Sequence, residues 1–385
     1  MQNSINSKKH LLTKIIFGII IIFFSLVIAI WITGYTYIYK TLIYTYPDID
    51  DLSIFDTRTV TPEVGVDWQY SKMYNKNKLP AEVIQTLEKN ESTAFLIIKN
   101  DSIIHEQYWD RTRENTLSNS FSVAKSIVGI LTGVAADEGL IHLDDPVGKY
   151  FPMFNEGMNA KLQIKHLLQM SSGLNWDESY SSLFSKTTKA YYGSDLKGQV
   201  LKLKVIREPG TKFEYMSCNT VLLSLIISKA TGKKISDYAS EKLWKPIHAL
   251  QPAYWSLDHS DGEEKAYCCF YSCARDFAKI GKLMLDSGNW NGQQVVSKNY
   301  VKEMLTPNMI KDESGNPTLY YGYQWWMMTY HNHPLFYARG ILGQYIIVVP
   351  DEKLVLVRLG HKRGTKVGDH YDDMEKYLDG ALSLK

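Results

Sequence analysis

From residue 15 to residue 39 the chain carries no charged side chain, and Ile, Phe, Leu and Val dominate. A run of about 25 apolar residues is long enough to cross a bilayer as a helix. No polar face interrupts it, as one would in a helix packed on a soluble core. Tyr35, Tyr37 and Tyr39 close the run and Lys40 follows, the aromatic and basic marking of a membrane–water interface. Lys8, Lys9 and Lys14 precede the run, while Asp48, Asp50 and Asp51 lie beyond it. The positive-inside rule counts the lysines. Residues 1–14 are therefore expected as a cytoplasmic tail, 15–39 as a transmembrane signal anchor, and the remainder outside. A cleaved signal peptide is the alternative, but the run is long for one and no Ala-x-Ala site follows. Residues 40–75 hold Pro47, Pro62 and many Asp and Thr residues and read as an irregular spacer. Residues 76–385 are left as one further domain.

Within that domain the apolar pattern is strand-like at the ends and helical between. Phe95-Leu96-Ile97-Ile98 and Ile103-Ile104-His105, separated at Asn100-Asp101, predict a hairpin. Tyr345-Ile346-Ile347-Val348-Val349 and Leu354-Val355-Leu356-Val357-Arg358 predict a second, turned at Pro350-Asp351-Glu352-Lys353. Residues 122–137 read as an apolar helix rich in small side chains, 220–231 as another, and an amphipathic helix begins near residue 371. Strands at both ends with helices between predict an α+β fold. One antiparallel sheet joins the two chain ends and is flanked by helices, with a mostly helical subdomain inserted. No internal repeat or low-complexity tract is present.

Composition narrows the function classes. With 385 residues and 45% apolar content the chain can bury one large core or two modest ones. A net charge of +2 gives no support for a nucleic-acid partner. Cys218, Cys268, Cys269 and Cys273 are the cysteines. An external compartment permits disulfides, but a bond between neighbours in sequence is strained, and no zinc-type spacing with histidine occurs. Buried free thiols are expected, with no metal and no cofactor. A phosphate-cradling glycine loop and a Gly-x-Ser-x-Gly elbow are both missing, which disfavours nucleotide binding and an α/β-hydrolase.

Ser-x-x-Lys occurs twice, at Ser122-Val123-Ala124-Lys125 and Ser194-Asp195-Leu196-Lys197. A chain of this length holds roughly two or three such matches by chance, so the tetrapeptide decides little alone. Context separates them. The second follows Gly193 in a polar stretch and opens no apolar helix. The first follows Ser118, Asn119 and Ser120, candidate caps, and opens the apolar helix. Residues three apart share a helix face, so the Ser122 hydroxyl and the Lys125 amine can meet. Free amides and the positive dipole end at a helix start favour a developing oxyanion. Further on, Pro209-Gly210-Thr211-Lys212-Phe213-Glu214-Tyr215 leads into the 220–231 helix and can present the Tyr215 hydroxyl to a cleft. A Ser, a Lys and a Tyr together make a proton-relay nucleophile that needs no histidine. Each also has an ordinary reading: a helix start, a snorkelling lysine, and one packed tyrosine among 26.

Read together, these motifs resemble the serine β-lactamase-like hydrolases: class C β-lactamases, DD-peptidases, and their esterase and amidase relatives. The resemblance runs from about residue 92 to residue 361. It includes Leu143-Asp144-Asp145-Pro146-Val147, the segment 164–174, the approach to Tyr215, and Ala274-Arg275-Asp276-Phe277-Ala278-Lys279-Ile280-Gly281. Trp176-Asp177-Glu178-Ser179-Tyr180 and Gly343-Gln344-Tyr345 are most similar to the 6-aminohexanoate-dimer hydrolase branch. The chain departs from the β-lactamase pattern in two places. Ser217 stands two after Tyr215 where Asn is expected, and Asn219 stands four after. Lys-Thr-Gly or His-x-Gly is missing, its place taken by Tyr337-Ala338-Arg339-Gly340-Ile341. That motif helps hold the carboxylate of β-lactams, so its loss favours another acyl substrate.

The resemblance implies a five-stranded or larger sheet with the site between sheet and helical subdomain; the apolar run and the lysines before it add the expectation of a bacterial cytoplasmic-membrane protein with its catalytic domain on the periplasmic or extracellular side. The resemblance also implies hydrolysis of an ester or linear amide through an acyl-enzyme on Ser122. Lys125 or Tyr215 would be the base and Tyr215 the acid. The amides of Ser122 and Ile341 would form the oxyanion hole, Tyr180 would close over the substrate, and Arg339 would supply a replacement cation. The partners are then a small ester, amide or peptide and, through 15–39, the lipid bilayer. Two rivals stay open: a DD-peptidase or β-lactamase, and a non-catalytic binding or sensor domain.

Overall fold

The computed structural model describes residues 2–384. Its main sheet has seven strands. In spatial order they are Trp326–Tyr330, His333–Gly340, Gln344–Val349, Leu354–Gly360, Ser92–Lys99, Ser102–Tyr108 and Gln69–Tyr70. All neighbours run antiparallel except Gln69–Tyr70, which pairs parallel with Ser102–Tyr108. Both expected hairpins are present, and Leu354–Gly360 pairs with Ser92–Lys99, so the chain ends meet in mid-sheet. Asn100 and Asp101 both take left-handed φ, 47° and 61°, as a two-residue primed turn requires.

The near-continuous apolar run of Ser92–Lys99 follows from burial on two faces. Phe95 and Ile97 pack with Val83, Leu87, Met374, Tyr377 and Leu378, on the helices Ala81–Lys89 and Asp372–Ser383. Leu96 and Ile98 point the other way, into the cluster that holds Ile127, Phe277 and Ile280. Those three belong to the helices Val123–Asp137 and Ala274–Leu285. A second sheet, unforeseen in the sequence, orders Thr57–Val60, Ala253–Ser256, Phe270–Ser272 and Ser118–Asn119. Its last strand delivers the chain to Ser122.

The N-terminal segment differs from the sequence expectation. One helix covers Gln2–Ile32, and its Asn6–Ile32 portion, with an 18-residue stretch of mean hydropathy 3.1, is long and apolar enough to cross a membrane. The helix therefore ends before residue 39. Gly34 adopts φ 72°, the chain turns, and a short helix Tyr37–Tyr44 buries Tyr37, Ile38 and Thr41. The Tyr39 hydroxyl donates back to the Val27 carbonyl at 3.1 Å. Nor is 40–75 a free spacer. Thr57–Val60 pairs with Ala253–Ser256, and the buried Trp68 indole donates to the Arg275 carbonyl at 2.9 Å. Strands of two to four residues carry too little alternation to be read from sequence. Among the cysteines, Cys218 and Cys273 are buried thiols as expected. Cys268 and Cys269 are bonded to each other instead, with Cys269 in a left-handed turn of φ 61°.

Candidate active site

The turn into Ser122 is built by the second sheet. Ser118 and Asn119 pair with Ser272 and Tyr271, and the Ser120 amide donates to the Phe270 carbonyl at 2.9 Å. The chain then reverses at Phe121, whose φ of 44° is unusual for a bulky residue. Such a conformation costs on the order of 1–3 kcal/mol. It is held by the Asn119 side chain, which accepts from the Phe121 amide at 2.9 Å, and by burial of the ring. Ser122 follows at the N-cap, and its hydroxyl makes no capping bond. Of the three candidate caps, only Asn119 accepts a backbone amide, that of Phe121, two residues before the helix starts at Val123. The Ser122 oxygen is left to face a cleft.

Lys125, one turn on, is 1% exposed. Its Nζ donates to Ser122 Oγ at 2.9 Å and to the Tyr267 carbonyl at 2.9 Å. It lies 5.0 Å from the centroid of the Tyr215 ring and 5.5 Å from that of Tyr267. Among the described residues no carboxylate lies within ion-pair distance of it. The Tyr267 carbonyl can accept an N–H from this nitrogen whether it is an ammonium or an amine, so Nζ stays beside Ser122 through a proton transfer.

Tyr215 reaches this point because the segment 170–174 cradles its approach. The Glu214 amide donates to the Met170 carbonyl at 2.7 Å, and the Gly210 amide to that of Ser171 at 2.8 Å. The Tyr215 ring packs against Trp326 at 5.5 Å and Tyr321 at 6.2 Å. Ser217 faces Glu178 rather than the lysine, and Asn219 is buried, its amide donating to the Met170 sulfur at 3.3 Å. The strand end Gly340 passes directly over the nucleophile turn. A Cβ there would lie 2.4 Å from the Ser120 carbonyl oxygen, so only glycine lets the strand bring Ile341 to the cleft.

Ser122, Tyr180, Tyr215, Arg339 and Ile341 line a single cavity of ≈ 500 Å³. The structure thus brings together the candidates Ser122, Tyr180, Tyr215, Arg339 and Ile341, with Lys125 beneath them. Ser194 is exposed and lies outside that cavity, and its Lys197 pairs with Glu263. Arg339 is partly exposed at the cavity wall, on an interior strand of the sheet. Its guanidinium stacks 3.4 Å above the Trp326 ring and donates to the Asp369 carbonyl at 2.5 Å.

Glu178 also belongs to the site, a role that the segment 176–180 does not signal by its sequence. Its carboxylate accepts four bonds. The hydroxyls of Tyr180 and Ser217 donate to Oε1, each at 2.5 Å. The Trp176 indole and the Ser217 amide donate to Oε2, each at 2.7 Å. The Tyr180 ring is 52% exposed at the cleft lip, but its hydroxyl turns inward. Burial of that hydroxyl, then the Glu178 charge, pushes its pKa well up. Burial does the same to Tyr267. Both hydroxyls stay protonated at neutral pH.

Residues 81–380 match the family model described as Beta-lactamase. The 6-aminohexanoate-dimer hydrolase of Paenarthrobacter ureafaciens is 28% identical over 298 residues, covering 73% of this chain and 75% of that protein. A solved structure from Bacillus anthracis, provisionally described as a 6-aminohexanoate-dimer hydrolase, superposes with a TM-score of 0.74. It is 19% identical and covers 89% of this chain and 92% of its own. A family VIII carboxylesterase superposes at 0.63 with 17% identity, covering 82% of this chain and 99% of its own.

Proposed function

The chain belongs to the beta-lactamase family, and we propose that within it this protein is a membrane-anchored serine hydrolase that cleaves a simple ester or linear amide through an acyl-enzyme on Ser122. The coarser statement, a serine hydrolase of esterase or amidase type, is common to the family and its relatives. The observation that carries the finer one is the 2.9 Å contact between Lys125 Nζ and Ser122 Oγ at the open start of a helix. With Lys125 as an amine, the hydroxyl proton moves to Nζ as Oγ attacks the carbonyl carbon. Tyr215, whose ring flanks the same nitrogen, hands a proton to the departing oxygen or nitrogen. Charge on the carbonyl oxygen is met by the amides of Ser122 and Ile341; losing one such donor costs about 3 kcal/mol of barrier. Water then repeats the sequence on the acyl-enzyme. Replacement of the third motif by Tyr337-Ala338-Arg339-Gly340-Ile341, with Arg339 committed to Trp326, supports a linear substrate over a β-lactam.

The Asn6–Ile32 helix and the lysines before it support an anchor with the hydrolase domain outside the cytoplasm. Full activity in a folded Ser122→Ala protein would sink the mechanism. Protease added to spheroplasts should strip the domain, and full protection would refute the orientation.

A further inference from the structure

Ser122 opens onto two cavities of different character. Arg363, Ser122, Tyr180 and Ile341 line both. The first is polar, and Glu214, Asp312, Arg339, Lys366 and Asp369 surround it. The second, also ≈ 500 Å³, is walled by Leu42, Tyr46, Leu183, Tyr191, Tyr192 and Leu342. Among its lining residues only Arg363, at the junction, is charged. A short ester needs no such space, whereas a hydrocarbon chain does.

The position of this second arm is as informative as its lining. Leu42 and Tyr46 come from the Tyr37–Tyr44 helix and the residues after it, the chain that leaves the anchor. Tyr35, at the turn out of the anchor, touches Phe184 with ring centroids 6.2 Å apart. Lys189 sits 5.8 Å from the Tyr35 ring centroid. Leu42, on the cavity wall, is 63% exposed, and Phe184, next in sequence to the wall residue Leu183, is 70% exposed. Large apolar side chains exposed beside the end of a membrane helix belong in the interfacial layer rather than in water. The mouth therefore opens at the bilayer surface.

The two arms also fix the direction of the substrate. Tyr215, the proposed proton donor to the leaving group, lines the polar cavity and not the apolar one. The leaving group must lie with its donor, which places the acyl side in the apolar arm. We propose that the enzyme is a deacylase for amphiphilic esters or amides: it draws a fatty acyl chain from the bilayer into the arm beneath Leu42 and releases a polar alcohol or amine on the Arg339 side. The Ser122 Oγ–acyl bond forms as the acyl–oxygen or acyl–nitrogen bond breaks. The serine proton, relayed through Lys125 and Tyr215, leaves on the alcohol or amine, and water frees the fatty acid. This rests on the serine mechanism and the anchor proposed above.

The test uses the full chain reconstituted in phosphatidylglycerol–phosphatidylethanolamine vesicles, with nitrophenyl esters from acetyl to dodecanoyl. The proposal expects kcat/KM to climb with acyl length, by up to about four-fold per methylene until the arm is full. Lengthening the alcohol instead, in dodecyl acetate, brings no such gain. Leu42→Trp, which narrows the arm, and Leu183→Asp, which charges its mouth, should each lower the dodecanoyl-to-acetyl ratio ten-fold or more. The dodecanoyl ester should be cleaved faster in the enzyme's own vesicles than in separate protein-free ones. A flat length profile with Ser122-dependent acetyl hydrolysis would overturn the arm alone. So would equal losses on all chain lengths in both variants, or equal rates from the two vesicle populations. Gain with alcohol length would reverse the assigned direction and overturn the proposal as stated. Acetyl hydrolysis that survives Ser122→Ala would instead bring down the serine mechanism, and this inference with it.

Discussion

Replacing Glu178 by Ala and by Gln should have very different consequences, and the reason lies in which atoms face its two oxygens. Oε2 meets two N–H groups, the Trp176 indole and the Ser217 amide, which can only donate. Oε1 meets the hydroxyls of Tyr180 and Ser217, which can donate or accept. A glutamine can turn its carbonyl to the first pair and its amide to the second, so all four contacts survive without the charge. Alanine strands two N–H donors, each worth about 1–3 kcal/mol when left unsatisfied. Water from the cleft can reach this half-buried site, so the low end applies, about 2–3 kcal/mol in total. For a domain of this size that is a fall in Tm of about 5 °C. It also frees the Tyr180 ring at the lip over Ser122. Glu178→Ala should therefore lose both Tm and kcat/KM on a nitrophenyl ester, mainly through KM, while Glu178→Gln keeps Tm within about 2 °C and most activity. Thermal unfolding and ester kinetics on the two variants decide it. If Glu178→Gln keeps Tm but loses kcat ten-fold or more, the carboxylate charge acts on the reaction itself, and Glu178 is more than a positioning residue.

Further expectations test other parts of the account. Tyr215→Phe should harm amide cleavage more than cleavage of an activated ester, whose leaving group needs little protonation; equal losses would make Tyr215 the base or a positioning group. Penicillins should acylate poorly, since a site without its carboxylate clamp forgoes charge-assisted bonds of about 1.5–3 kcal/mol; a kcat/KM for penicillin above that for every ester and amide tested would make this a β-lactamase. Burial, helped by the neighbouring Lys165 charge, lowers the His166 pKa from 6.5 to about 4. The unfolded chain then binds the extra proton between those values, so stability is fully present above about 6.5 and drains away as pH falls toward 4. After solvent screening at a partly exposed ring the loss is about 1–2 kcal/mol. His166→Gln should flatten that acid limb in denaturant titrations, and an unchanged limb would contradict it.

What could be read from the sequence follows the physics of each element. Phe95-Leu96-Ile97-Ile98 and Tyr345-Ile346-Ile347-Val348-Val349 announced themselves because strands buried on both faces are continuous apolar runs, here bounded by turn residues. Ser122-Val123-Ala124-Lys125 stands out from its twin at Ser194 because it opens a long apolar helix; in the structure Ser194 also precedes a helix, the short Leu196–Leu201, and what separates the two is that only Ser122 lines the cavity. Ser118–Asn119 and Phe270–Ser272 carry no local signal, since strands this short exist only through a partner far along the chain. The role of Glu178 depends on Ser217, 39 residues away, and neither residue signals the other. Tyr35, Tyr37 and Tyr39 marked the end of the membrane run, but such side chains serve an interface or a packed surface equally well. Here Tyr37 turned out to be buried on the domain.

The central claim is that Ser122 is the nucleophile, and covalent trapping reads it most directly. Full-length protein is treated with a fluorophosphonate, digested, and the modified residue located by mass spectrometry, alongside folded Ser122→Ala and Ser194→Ala variants. The account predicts one stoichiometric adduct on Ser122, lost in Ser122→Ala together with all ester hydrolysis and retained in Ser194→Ala. An adduct on any other serine, or undiminished labelling and hydrolysis in Ser122→Ala, would contradict it.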